Sequence, residues 1–90
     1  MANKAEIGFE RRLEDGTKRE VYVHHTGGSY RFFARPKRFE KWEAVENPPI
    51  EDWMELLDAV RRRVIRRKLV PKVEEHLVRT IRERFPEVKL

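Results

Sequence analysis

The sequence predicts an α+β fold: an antiparallel β-meander of three or four strands, followed by an antiparallel two-helix hairpin packed on one sheet face. Three observations lead there. Residues 6–35 alternate apolar and polar side chains between turn signals, the pattern of half-buried strands. Residues 50–85 carry apolar side chains at helical spacing. Asn47-Pro48-Pro49 separates the two halves. Ninety residues, 39% of them apolar and 41% charged, suit one core. The expectation is a single domain over 1–90, with a sheet half at 5–45 and a helical half at 48–86.

The first strand is expected over Glu6–Leu13, running into the turn residues Glu14-Asp15-Gly16. The second spans Lys18–His25 and carries Val21, Tyr22 and Val23. Gly27-Gly28 then supplies the positive φ values of a two-residue hairpin turn. The third covers Tyr30–Arg35 and stops at Pro36, which has no N–H to donate. Phe39, Trp42 and Val45 recur every three residues, as in a helical turn, yet the stretch also fits a short edge strand, which we take as the expectation.

Asn47 is the expected N-cap and Pro49 the first residue of helix one, which is expected to run to about Lys68. Acidic Glu51, Asp52, Glu55 and Asp58 lie towards its start and basic residues at its end, as the helix dipole favours. Pro71 opens helix two, expected to reach Phe85 before Pro86 ends it. The short link forces the helices to turn back on each other.

Turn length fixes register, and register fixes which side chains are buried. A two-residue Gly27-Gly28 turn pairs Val23 with Phe32 and Val21 with Ala34 on one face. It pairs Tyr22 with Phe33, His24 with Arg31 and Glu20 with Arg35 on the other. A two-residue Asp15-Gly16 turn in the first hairpin would put Ile7 and Phe9 beside Tyr22 and Phe33. A three-residue Glu14-Asp15-Gly16 loop, with Gly16 left-handed, puts them beside Val21 and Val23 instead. The second choice gathers Ile7, Phe9, Val21, Val23, Phe32 and Ala34 on one core face, to meet Pro49, Trp53, Leu57 and Val60. It also brings Glu10 near Glu20, with Arg12 and Arg35 to soften the repulsion.

Tyr22 and Phe33 then form a cross-strand pair ringed by Arg12, His24, Arg31 and Arg35. Aromatic faces among cations suit the stacking of unpaired bases. The same rings equally serve to shield the sheet or to pack under a helix. On helix one, Ile50, Trp53, Met54, Leu57, Val60, Val64 and Ile65 share an arc that also takes in Arg61. On helix two, Glu74 falls among Val73, Leu77, Val78, Ile81 and Phe85. An Arg61–Glu74 pair across the helix hairpin is therefore expected, against the alternative that Arg61 merely snorkels.

Arg61-Arg62-Arg63 and Arg66-Arg67-Lys68 form the strongest compositional signal, with no acid between Asp58 and Glu74. Arg62 with Arg66 and Arg63 with Arg67 are like charges at i,i+4, which a phosphate backbone would relieve. Against that, cations favour a helix C-terminus and charge runs are commonly just solvated. The candidate nucleic-acid contacts are thus Arg62, Arg63, Arg66, Arg67, Tyr22, Phe33, Arg31 and Arg35, and the net charge of +5 favours acidic partners.

Catalytic chemistry is not expected. Cysteine is absent, Ser29 is the only serine, and Ser29 and Thr17 both lie at turns. His24 and His25 point to opposite faces, and His76 lacks an i,i+4 partner, so no metal site is expected. No cofactor and no small-molecule substrate are expected. No apolar run is long enough for a membrane span, and Met1–Glu6 has no export-signal character, so a cytoplasmic protein without a membrane partner is expected. A sheet followed by a helix is similar, in element order only, to small DNA-binding domains that lay a sheet in a groove. The expected function is a small non-catalytic module for nucleic acid or another polyanion. The competing reading is a protein-interaction or homodimerisation module, binding an acidic protein or a second copy through Leu56, Trp42 and Leu90.

Overall fold

A computed structural model describes residues 6–26, 28–36 and 40–90. The element order is β1 (Glu6–Arg12), β2 (Lys18–Thr26), β3 (Ser29–Arg35), β4 (Glu43–Val45), α1 (Ile50–Ile65) and α2 (Pro71–Arg84). The four strands form one antiparallel sheet in sequence order.

The first hairpin has the three-residue loop. The Leu13 N–H donates to the Thr17 carbonyl at 2.8 Å and the Gly16 N–H to the Leu13 carbonyl at 2.9 Å. Gly16 stands at φ 87, where a Cβ would be strained. Asp15 ties the loop to the strand by accepting from the Thr17 N–H and hydroxyl. Ile7 therefore pairs with Val23 and Phe9 with Val21. In the second hairpin Thr26 pairs with Ser29, and Val23 with Phe32, as a two-residue turn requires. Gly28 has φ 78, while Gly27, like Phe39 in the ambiguous stretch, lies outside the described residues. The edge strand expected around 39–45 is real at Glu43–Val45.

Ile7, Val21, Val23, Phe32 and Ala34 are buried under the helices, with Phe9 and Val45 partly so. The helices run antiparallel: Arg61 meets Glu74 near the turn, and Trp53, eight residues earlier, meets Arg84. Leu77 and Ile81 complete the core from α2.

Helix one departs from expectation in three ways. Its N-cap is Pro49, with no side-chain cap, rather than Asn47. Pro49 is exposed, and it is Pro48 that is buried. The buried arc runs through Asp52, Trp53, Leu56, Leu57, Ala59 and Val60, whereas Met54 is exposed and Ile65 is 80% exposed. A helix wedged between a sheet and a second helix must bury two flanks, and the sequence pattern pointed to only one of them. Finally, α1 ends at Ile65 instead of Lys68. Arg66 is its C-cap, and Arg67 adopts φ 61. The Arg67 N–H donates to the Val64 carbonyl and the Lys68 N–H to the Arg63 carbonyl, a Schellman turn with arginine where glycine normally sits. Arg63 and Arg67 are consequently not an i,i+4 pair on one helix.

Candidate functional site

Three groups of polar and aromatic side chains stand out. The first lies under α1. Arg11 and Arg19 face each other directly across β1 and β2 on the core side of the sheet. Like charges in that position repel. The fully buried Asp52 bridges them, accepting from Arg11 Nε at 2.7 Å and from Arg19 Nη1. This triad pins the first turn of α1 to the first hairpin. Because Asp52 holds both opposed guanidinium groups with its two carboxylate oxygens, the triad is a structural clamp that keeps one net positive charge.

The second group is the open sheet face. Tyr22 and Phe33 stack at 4.8 Å and 15°, as their cross-strand pairing predicts. Among the described residues no helix covers them, since α1 and α2 pack on the opposite sheet face, so the reading that places these rings under a helix does not hold. However, 4.8 Å is the spacing of neighbouring strands. The rings therefore turn their faces towards each other and their edges outward. Trp42 packs edge-on to Tyr22 at 4.7 Å, and Arg35 covers a Trp42 face at 4.3 Å. Arg31 lies 5.8 Å from the Phe33 ring centre. Much of the stacking surface is thus already engaged inside the protein. The charges are similarly compensated: Arg35 pairs with Glu20 and Lys18 with Glu10, and Glu6 shares the face. Gly8 and Ala44, the small residues of the same cross-strand row, flank the two rings.

The third group is the turn between α1 and α2. Arg62 pairs with Asp58 at 3.3 Å, and Arg61 with Glu74 at 3.2 Å, as expected from the helix plot. That pair sits at the exposed rim of the interface rather than inside it, since the buried arc of α1 is turned away from Arg61. Arg63, Arg66, Arg67, Lys68 and Lys72 have no ion-pair partner among the described residues. Ile65 and Val70, 80% and 62% exposed, stand among them.

The predicted residues are therefore not brought together. Arg62, Arg63, Arg66 and Arg67 belong to the helical layer, while Tyr22, Phe33, Arg31 and Arg35 lie on the far side of the sheet, with the core between. The residues proposed as an apolar docking patch also separate. Leu56 is fully buried and Leu90 packs partly against the core, leaving Trp42 on the open face.

One cluster escaped the sequence reading altogether. His25 stacks on its cross-strand partner Tyr30 at 4.5 Å, and His76 of α2 lies beside both. Burial pushes the Tyr30 hydroxyl up to about 12, so it stays protonated, and it shares a hydrogen bond with His76 Nδ1 at 2.9 Å. Burial also holds His25 below the ordinary imidazole value, helped by His76 and then His24. His25 and His76 are half-buried where the end of β2 meets α2. Among the described residues no three metal-ligating side chains converge. A concavity of about 590 Å³ beside the first hairpin is lined by Leu13, Lys18, Arg35, Glu43 and Val45. Its one hydroxyl, that of Thr17, already donates to Asp15. No helix of the described residues is long and apolar enough to cross a membrane.

Comparison with known proteins gives no match to a family model, a curated protein or a solved structure.

Proposed function

We propose that this protein is a small non-catalytic module that binds nucleic acid through phosphate contacts at the α1–α2 turn. The observation that carries this reading is the set of unpaired cations Arg63, Arg66, Arg67, Lys68 and Lys72, gathered around one turn. The sheet face supports it less, since its cations are largely matched by Glu6, Glu10 and Glu20 and its rings stack on each other. Arginines and lysines that meet phosphates read no sequence, so binding is expected to be general. The reading assumes a cytoplasmic protein with no cofactor and no small-molecule substrate.

The test is a titration of labelled single- and double-stranded oligonucleotides at two salt concentrations. Five phosphate contacts on duplex DNA imply an affinity loss on the order of 500-fold between about 50 and about 200 mM salt. Replacing Arg63, Arg66 and Arg67 together by glutamine should flatten that dependence. Absence of binding at low salt, or binding that ignores the triple replacement, removes the proposal.

A second reading rests on Ile65 and Val70, whose exposure beside the cations suits an acidic protein segment with apolar anchors. Replacing both by serine leaves phosphate binding unchanged but weakens such a partner.

A further inference from the structure

β1 is one edge of the sheet, and among the described residues nothing pairs with its outer side. It is seven residues long, whereas β4 at the other edge has three. Short edge strands are protected from further pairing, while a long one without proline offers a template.

The hairpin determines which backbone groups face outward. Leu13 directs its N–H and carbonyl towards the Thr17 side of the loop. Bonded pairs alternate along an antiparallel ladder, so Arg11, Phe9 and Ile7 also turn their backbone groups to β2. Arg12, Glu10, Gly8 and Glu6 then present theirs to solvent.

A second copy can add its own β1 about a two-fold axis, outward-facing residue against outward-facing residue. A two-fold centred on Gly8 sets Glu6 against Glu10. One centred on Glu10 sets that residue against its own copy. A two-fold centred on Phe9 sets Glu6 against Arg12 at both ends and Gly8 against Glu10, with no like-charge pair. It also places the two half-buried Phe9 rings opposite each other in a non-hydrogen-bonded pair, where side chains come closest.

We infer that this protein self-associates as a two-fold dimer through β1 in the Phe9-centred register, joining two four-stranded sheets into one. The inference is independent of the nucleic-acid reading, because the α1–α2 turn takes no part in it.

Charge reversal tests it. The wild-type chain, 10.9 kDa as a monomer, is followed by light scattering and sedimentation from micromolar to millimolar concentration. A rise towards twice that mass is expected. Glu6→Arg alone and Arg12→Glu alone each set like charges against each other at both ends, so each should weaken dimerisation about tenfold or more. Mixing the two variants restores opposite charges at both ends, and a heterodimer should form. Circular dichroism checks that both variants keep their fold. A wild-type chain that stays monomeric throughout overturns the inference. So do reversals that leave the dimer unchanged, and so does a mixture that remains monomeric.

Discussion

Arg67→Gly separates what the α1–α2 turn contributes to stability from what it contributes to binding. Arg67 holds φ 61, where a Cβ crowds the backbone by roughly 1–2 kcal/mol. Glycine removes that strain and keeps both Schellman bonds, which use only backbone groups. Its greater freedom in the unfolded chain returns about 0.5–1 kcal/mol of the gain. The net expectation is a stabilisation of about 0.5–1 kcal/mol, or a few degrees in Tm for a chain of this size. Urea unfolding read by Trp fluorescence measures it. The same change deletes one unpaired cation, so the slope of log K against log salt should shrink by about 0.9 on duplex DNA. Arg67→Ala is the control, since it loses the charge but keeps the strain. It should reduce the salt slope equally without raising stability. A glycine variant no more stable than the alanine variant would refute the account of this turn. Equal salt slopes for wild type and both variants would remove Arg67 from the binding surface.

Other consequences follow from burial and charge. Asp52→Ala leaves Arg11 and Arg19 opposed and uncompensated, and should lower unfolding free energy by about 3–5 kcal/mol in urea titration. Leu56→Ala should cost about 2–5 kcal/mol, while Ile65→Ser should stay within about 0.5 kcal/mol, and the reverse order would mean that α1 is rotated from the position described. Burial, then His76 and His24, hold the His25 pKa below its ordinary value in the folded chain, so the unfolded chain takes up its proton first. Stability should be complete above the ordinary imidazole pKa of about 6.5 and fall as pH drops through that value, and His25→Gln should flatten the dependence. Tyr30 has the opposite sense at high pH. Its stabilising effect is complete below the ordinary phenol pKa of about 10 and is lost as pH rises towards about 12, and Tyr30→Phe should abolish that loss in alkaline unfolding curves.

The sheet was legible in the sequence because its register depends on local chemistry. Gly16 and the odd-membered loop place Ile7 and Phe9 beside Val21 and Val23, and Pro36 marks the end of β3, whereas the spacing of Phe39, Trp42 and Val45 fitted a helical turn as well as the short strand β4. The Arg61–Glu74 contact was legible too, since both residues lie opposite each other near a short turn. The rotation of α1 was not, because Asp52 is buried only through Arg11 and Arg19, residues more than thirty positions away. Nor was the early end of α1, since arginine at a left-handed C′ position leaves no glycine to mark it. The His25–Tyr30–His76 cluster joins a strand end to the second helix, a juxtaposition that neighbour spacing cannot reveal. At the candidate site, sequence located the basic block, which it placed on helix one, and the aromatic pair. That they lie on opposite sides of the core, and that the rings face each other, depends on packing.

Amide chemical-shift mapping of the ¹⁵N-labelled chain during titration with an unlabelled oligonucleotide locates the bound phosphates directly. The account predicts that shifts concentrate at residues 62–72, with Tyr22, Phe33 and the Trp42 indole unmoved. Shifts centred on the indole and on β2–β3, with the turn silent, would contradict it.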